Sequence, residues 1–202
     1  MKSTNNLKRA ALPAIGAKLG GGYYTGILNI DGVPFALITA PKGGGEHADA
    51  PWGEYKLIKG ADSFCDGLAN TKAMAKAGCK IAEWALSLRI GGFKDWSIPA
   101  RDQLELLYRN LKPTTQANYV WRNGDNPSTG TYPYTEKLPK QTKVRSFKKG
   151  GVEALDDVWY WSSTQYSSDL AWCQYFYVGY QDGLSKGGTS RVRAVRSVRI
   201  SN

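Results

Sequence analysis

Apolar residues first gather between positions 20 and 41, where the runs YYTGILNI and VPFALITA flank Asp31-Gly32. An Asp-Gly pair between two such runs predicts a β-hairpin with a two-residue turn, because both turn positions need positive φ. Residues 42–61 read as a loop with one short strand at 54–58. Helical spacing follows. Asp62-Ser63 offers a cap, Phe64, Leu68 and Ala75 share a face, Gly78 is either a C-cap or an interior point, and beyond it Ile81, Trp84, Ala85 and Leu88 repeat at helical spacing, so the helix continues or restarts to about Arg89. Gly91-Gly92 ends that helix. A second carries Leu104, Leu107, Tyr108 and Leu111 and stops at Pro113. Residues 113–157 form a long polar stretch, of a length that marks an ordered or functional loop. Short β runs then appear, VWYWSST, AWCQYFYV and SRVRAVRSVRI, with residues 180–188 (YQDGLSKGG) read as a turn. Hairpin, two helices, long loop and late antiparallel strands together predict an α+β fold. Residues 1–20 read as an N-terminal arm and 21–202 as one domain.

Composition narrows the class. A chain of 202 residues with 42% hydrophobic content suits one folded core and excludes disorder. No apolar run reaches the roughly 18–20 residues that span a membrane, so no membrane insertion is expected. The N-terminal MKSTNNLKRAALPAIGAKL superficially resembles a secretion signal, but its apolar stretch is short and broken by Pro13 and Gly16. The net charge is +10, with basic residues concentrated at 137–149 (Lys137, Lys140, Lys143, Arg145, Lys148, Lys149) and again at 186–199. No nucleic-acid motif accompanies them, so nucleic acid is not an expected partner; anionic glycans or acidic proteins fit the charge as well as a merely solvated surface does.

Candidate chemistry is sparse. Cys65, Cys79 and Cys173 form no CxxC pair and read as free thiols, as suits folding in a cytoplasm. The one histidine, His47, sits in a Gly-rich loop without a catalytic frame. Gly43-Gly44-Gly45 lacks the Lys-Ser/Thr of a phosphate-binding loop. No catalytic residue, metal or cofactor is expected, and the chain is read as not an enzyme.

Two motif blocks add to this. Gly92-Phe93-Lys94-Asp95-Trp96-Ser97-Ile98-Pro99 runs into Gln103-Leu104, and Tyr160-Trp161-Ser162-Ser163-Thr164 is followed by Ala171-Trp172 and by Arg191-Val192-Arg193-Ala194-Val195-Arg196. Both blocks resemble the C-type-lectin-like superfamily, in particular the Lcl-type C-terminal domains of bacterial adhesins and of phage and prophage proteins, over about residues 22–200. Ala100 stands where that pattern often has a capping Thr or Ser, and Gln103 supplies half of a capping box. The resemblance implies a C-type-lectin-like fold. The calcium and sugar tripeptides of the calcium-dependent lectins are missing; Asp125-Asn126-Pro127 has the residues in the wrong order.

A binding face is expected on the late strands: Tyr166, Asp169, Trp172, Gln174, Tyr175, Tyr177, Tyr180, Gln181 and Asp182 mix rigid aromatics with hydrogen-bonding groups. Strand alternation puts Trp172, Gln174 and Phe176 on one face and Cys173, Tyr175 and Tyr177 on the other, so one aromatic set is expected at the surface. The resemblance implies a virion module of a tail fibre or tail tip that recognises a host surface receptor, protein or glycan. Residues 1–20 would attach it to other virion proteins, and a homo-oligomer is expected. The alternatives are a structural virion protein, such as a capsid decoration or fibre component, and a bacterial surface adhesin.

Overall fold

The structure is a computed structural model, and it describes residues 6–121 and 132–201. The hairpin lies where the apolar pattern places it. β3 (Gly22–Ile30) and β4 (Val33–Thr39) pair antiparallel with Ile30 opposite Val33, and Asp31 and Gly32 take φ of 50° and 79°. One further sheet is built around it, in the order β1-β10-β4-β3-β2, with β1 (Leu7–Lys8), β2 (Lys18–Leu19) and β10 (Val195–Ser201). Residues 7–19, read from sequence as part of an arm, therefore supply a short strand at each edge; Leu7, Leu12 and Leu19 pack against Tyr24, Ala36 and Ile200.

The second sheet has the order β5-β9-β6-β7-β8, from β5 (Glu46–Pro51), β6 (Trp159–Gln165), β7 (Leu170–Tyr175), β8 (Tyr180–Ser185) and β9 (Thr189–Arg193). Both sheets are mixed: β1 runs parallel to β10, and β6 parallel to β9. The expected α+β class with a C-type-lectin-like architecture is thus corrected. Among the described residues strand outweighs helix, and the strands form two mixed five-stranded sheets in a sandwich-like pattern with few helices. Strands occupy stretches read as arm, as loop (β5) and as turn (β8), because ladder partners distant in sequence recruit segments that carry no β pattern of their own. The short strand expected at 54–58 is absent.

The helices are α1 (Lys42–Gly45), one turn interrupted by the non-helical Gly43 and Gly44, α2 (Gly67–Lys76), α3 (Lys80–Ser87) and α4 (Arg101–Leu111). Of the two readings left open at Gly78, the structure takes the break: Gly78 has φ of 90° and α3 restarts beyond it, while the start of α2 lies at Asp66, whose Oδ1 accepts from the Ala69 amide at 3.0 Å. α4 begins after Ala100, whose methyl group caps nothing. Gln103 Oε1 accepts the Ala100 amide at 2.8 Å, and Thr164 Oγ1, reaching over from β6, accepts the Arg101 amide at 3.0 Å. The missing N-cap is supplied across the core.

The second sheet is covered on both faces. Tyr160 and Phe176 join Tyr108, Leu104 and Leu107 of α4 together with Tyr23, Leu28 and Leu37. Trp161, Ala171 and Cys173 face Met74, Ile81 and Ala85 of α2 and α3, with Trp52 closing the cluster. The run Arg191–Arg196 changes sheet at Ala194, whose amide donates to Gly45 O and whose carbonyl accepts from Ala40 N, each at 2.9 Å. Buried cations fasten the loops. Fully buried Arg193 grips Glu46 through Nε and Nη2 at 2.9 and 2.7 Å; Arg196 holds Asp95 in a two-pronged pair at 2.8 Å; Lys112 donates to Gln116 O and Asn118 Oδ1.

Candidate functional site: an aromatic surface

Cross-strand pairing sets the site. Trp159 on β6 stands opposite Tyr175 on β7, and Tyr175 opposite Tyr180 on β8, so three aromatic side chains line up across neighbouring strands on one face. The Trp159 and Tyr175 rings stack at 5.2 Å, and Tyr180 meets Trp159 edge-on at 5.9 Å. Tyr177, just beyond β7, lies 5.9 Å from Tyr175. Tyr119 is carried in from the 113–157 loop by its amide, which donates to Val178 O at 2.9 Å, and its ring packs on Tyr180 at 4.7 Å. All five are half-buried or exposed, and the neighbouring Val120, Trp121 and Val158 are exposed. Asp182 gives the surface a fixed polar group: its Oδ2 accepts from Tyr180 Oη at 2.6 Å and its Oδ1 from the Gly183 amide at 2.8 Å.

The nine residues expected to bind fall into separate places. Tyr175, Tyr177, Tyr180 and Asp182 belong to this surface. Tyr166 and Trp172 form a second patch on the opposite sheet face, their rings 4.8 Å apart, with the Arg101 guanidinium 4.7 Å from the Trp172 ring and 4.8 Å from that of Phe64. Asp169 is exposed on the β6–β7 turn. Gln174 and Gln181 are buried: Gln174 Nε2 donates to Glu105 Oε2 at 2.6 Å and Gly179 O at 3.1 Å, and Gln181 Oε1 accepts from Arg101 Nε at 3.2 Å. They brace the strands that present the rings. Trp159 and Tyr119 were missed by sequence reasoning. The first needed the strand register, and the second needed the loop's return to Val178, a contact no local pattern encodes. Asp125-Asn126-Pro127 lies outside the described residues.

No protein-family model matches the chain, and no curated protein matches it. Among solved structures, a fimbrial protein from Bacteroides ovatus is similar over 80% of this chain, with a TM-score of 0.38 and 10% identity; the chain spans 35% of that protein's length. A likeness at that level assigns neither family nor function.

Burial pushes the Cys79 and Cys173 thiols upward, away from the thiolate that a nucleophile needs. Glu105, buried beneath the site, is likewise raised by burial, with Arg109 at 2.8 Å and Gln174 opposing the shift. Among the described residues no group of His, Cys, Asp and Glu gathers as a metal site would require, and no helix is long and apolar enough to cross a membrane.

Proposed function

We propose that this protein is a non-catalytic recognition module, carried on a virion, that attaches it to a receptor on the host surface. The observation that carries the reading is the surface built from Trp159, Tyr175, Tyr177, Tyr180 and Tyr119. Rigid aromatic rings give contact area at low entropic cost, and half-exposed rings held by one another rather than by the core are what an interface anchor needs. The buried Gln174 and Glu105 beneath them keep the strands in place, so the surface is preformed and little ordering is required on binding.

The test is binding of purified protein to host cells. Tyr177→Ala with Tyr180→Ala removes two rings at the rim without opening the core. Loss of an anchor pair of this kind costs about 2 kcal/mol, roughly 30-fold in affinity, while circular dichroism stays unchanged. Undiminished binding by the double variant overturns the reading, as does wild-type protein that binds no host cell.

A further inference from the structure

The aromatic surface has a cationic neighbour. Six of the chain's basic residues lie within 137–149, and no acidic residue does. The structure folds this stretch back on the end of α4. Pro113 O accepts from Gln141 Nε2 at 2.7 Å and from the Lys149 amide at 2.9 Å, and Lys112 O accepts from the Thr142 amide at 2.9 Å. Residues 141–149 are thereby drawn into one closed loop. Its interior is pinned by Phe147, fully buried and edge-on to Tyr23 at 5.1 Å. Its far side is tightened at Gly151, where a β-carbon would meet Ser146 O at 2.4 Å. Lys143, Arg145, Lys148 and Lys149 all point to solvent from this fixed frame, and Arg145, Lys148 and Lys149 line one open recess. Lys149 pairs with Asp157; Lys143, Arg145 and Lys148 have no ion pair among the described residues.

The loop and the rings share an attachment just beyond α4. Pro113, which anchors the loop, is followed by Thr114, whose hydroxyl donates to Tyr177 O at 3.1 Å. Uncompensated cations held on a rigid loop raise the local concentration of anions, and ammonium groups pair well with phosphate oxygens. Aromatic faces beside them offer flat apolar area for sugar rings. A single-stranded nucleic acid would place its phosphates on the loop and its bases on the rings in the same way, so it is set against the glycan in the test below.

We propose that the loop of residues 141–149 and the Trp159–Tyr175–Tyr177–Tyr180 rings form one composite site for a phosphate-bearing glycan of a bacterial envelope, with the rings taking the sugar and the loop the phosphates. This rests on the surface-recognition reading and names its ligand class.

The experiment measures binding of the full chain to lipopolysaccharide, native and chemically dephosphorylated, at low and at physiological salt. Native lipopolysaccharide binds, with affinity falling as salt rises, and dephosphorylation weakens it. Lys143→Gln, Arg145→Gln and Lys148→Gln together weaken binding roughly tenfold at low salt and flatten the salt dependence, whereas Tyr177→Ala with Tyr180→Ala weakens it equally at every salt. Equal binding of dephosphorylated lipopolysaccharide, an unaffected loop variant, or tighter binding to single-stranded or duplex DNA overturns the proposal. Binding to host cells without any to lipopolysaccharide also overturns it while leaving receptor recognition standing; binding to neither removes both.

Discussion

Lys112 shows what a buried cation does to this protein. Its ammonium lies 2.7 Å from Asn118 Oδ1 and 2.5 Å from Gln116 O, with no carboxylate paired to it among the described residues, and burial lowers it from the ordinary 10.5 to about 8. Between those values the unfolded chain holds a proton that the folded chain has released, so stability rises as pH climbs through that window. Lys186, also lowered by burial, acts in the same direction. Tyr108 and Tyr160 act oppositely: burial holds both phenols above their usual value, and stability is lost above about pH 10 as the unfolded phenols ionise. The buried Cys79 and Cys173 thiols, also held up by burial, oppose the gain from about pH 9, so Lys112 reads out by difference: the urea midpoint of the wild type should gain on that of Lys112→Met between pH 8 and about 10, and both should fall above it. Thr164 is a second residue whose loss reads out directly. Its hydroxyl accepts from the Arg101 amide and donates to Ser63 O at 2.8 Å, so Thr164→Ala should lower unfolding free energy by about 1–3 kcal/mol, measured by urea titration.

At the scale of elements, the β7–β8 hairpin carries the site, and Gly179 is its tightest point. Gly179 takes φ of 83°, and a β-carbon there would lie 2.3 Å from the Tyr108 ring. Gly179→Ala should cost more than the roughly 1 kcal/mol of an exposed glycine, because the hairpin must lift off α4; loss of receptor binding should accompany the loss in Tm. Elements with a local signature were legible in the sequence. Asp31-Gly32 announced its hairpin, and Leu104, Leu107, Tyr108 and Leu111 announced α4. The segments that escaped have no such signature. β8 contains Gln181, Asp182 and Gly183, and β5 contains Glu46, His47 and Asp49; they are strands because β7 and β9 present them with open ladders. The site was legible in part for the same reason. Alternation separated Tyr175 and Tyr177 from Trp172 without showing which set faces outward, and Gln174 has the look of a surface group but is buried by Glu105, a partner 69 residues away.

The whole molecule is held at its margins by short pieces. β1 closes the outer edge of β10, and β2 the outer edge of β3. Open strand edges invite pairing with other chains, so deleting residues 1–12 should both destabilise the protein, by about 2 kcal/mol from the uncovered Tyr24, Ala36 and Ile200, and promote self-association seen by light scattering. The change of sheet at Ala194 has a mechanical consequence. β9 and β10 are both interior strands, each flanked on two sides, and they are successive stretches of one run of backbone. A pull along β10 from its Ser201 end loads the β1 and β4 ladders in shear together, and the load passes Arg196 on Asp95 before it enters the second sheet at Arg193, itself held on Glu46. Tension applied at Ser201 would thus meet two clasps in series before it travelled along β9 into the sheet that carries the rings.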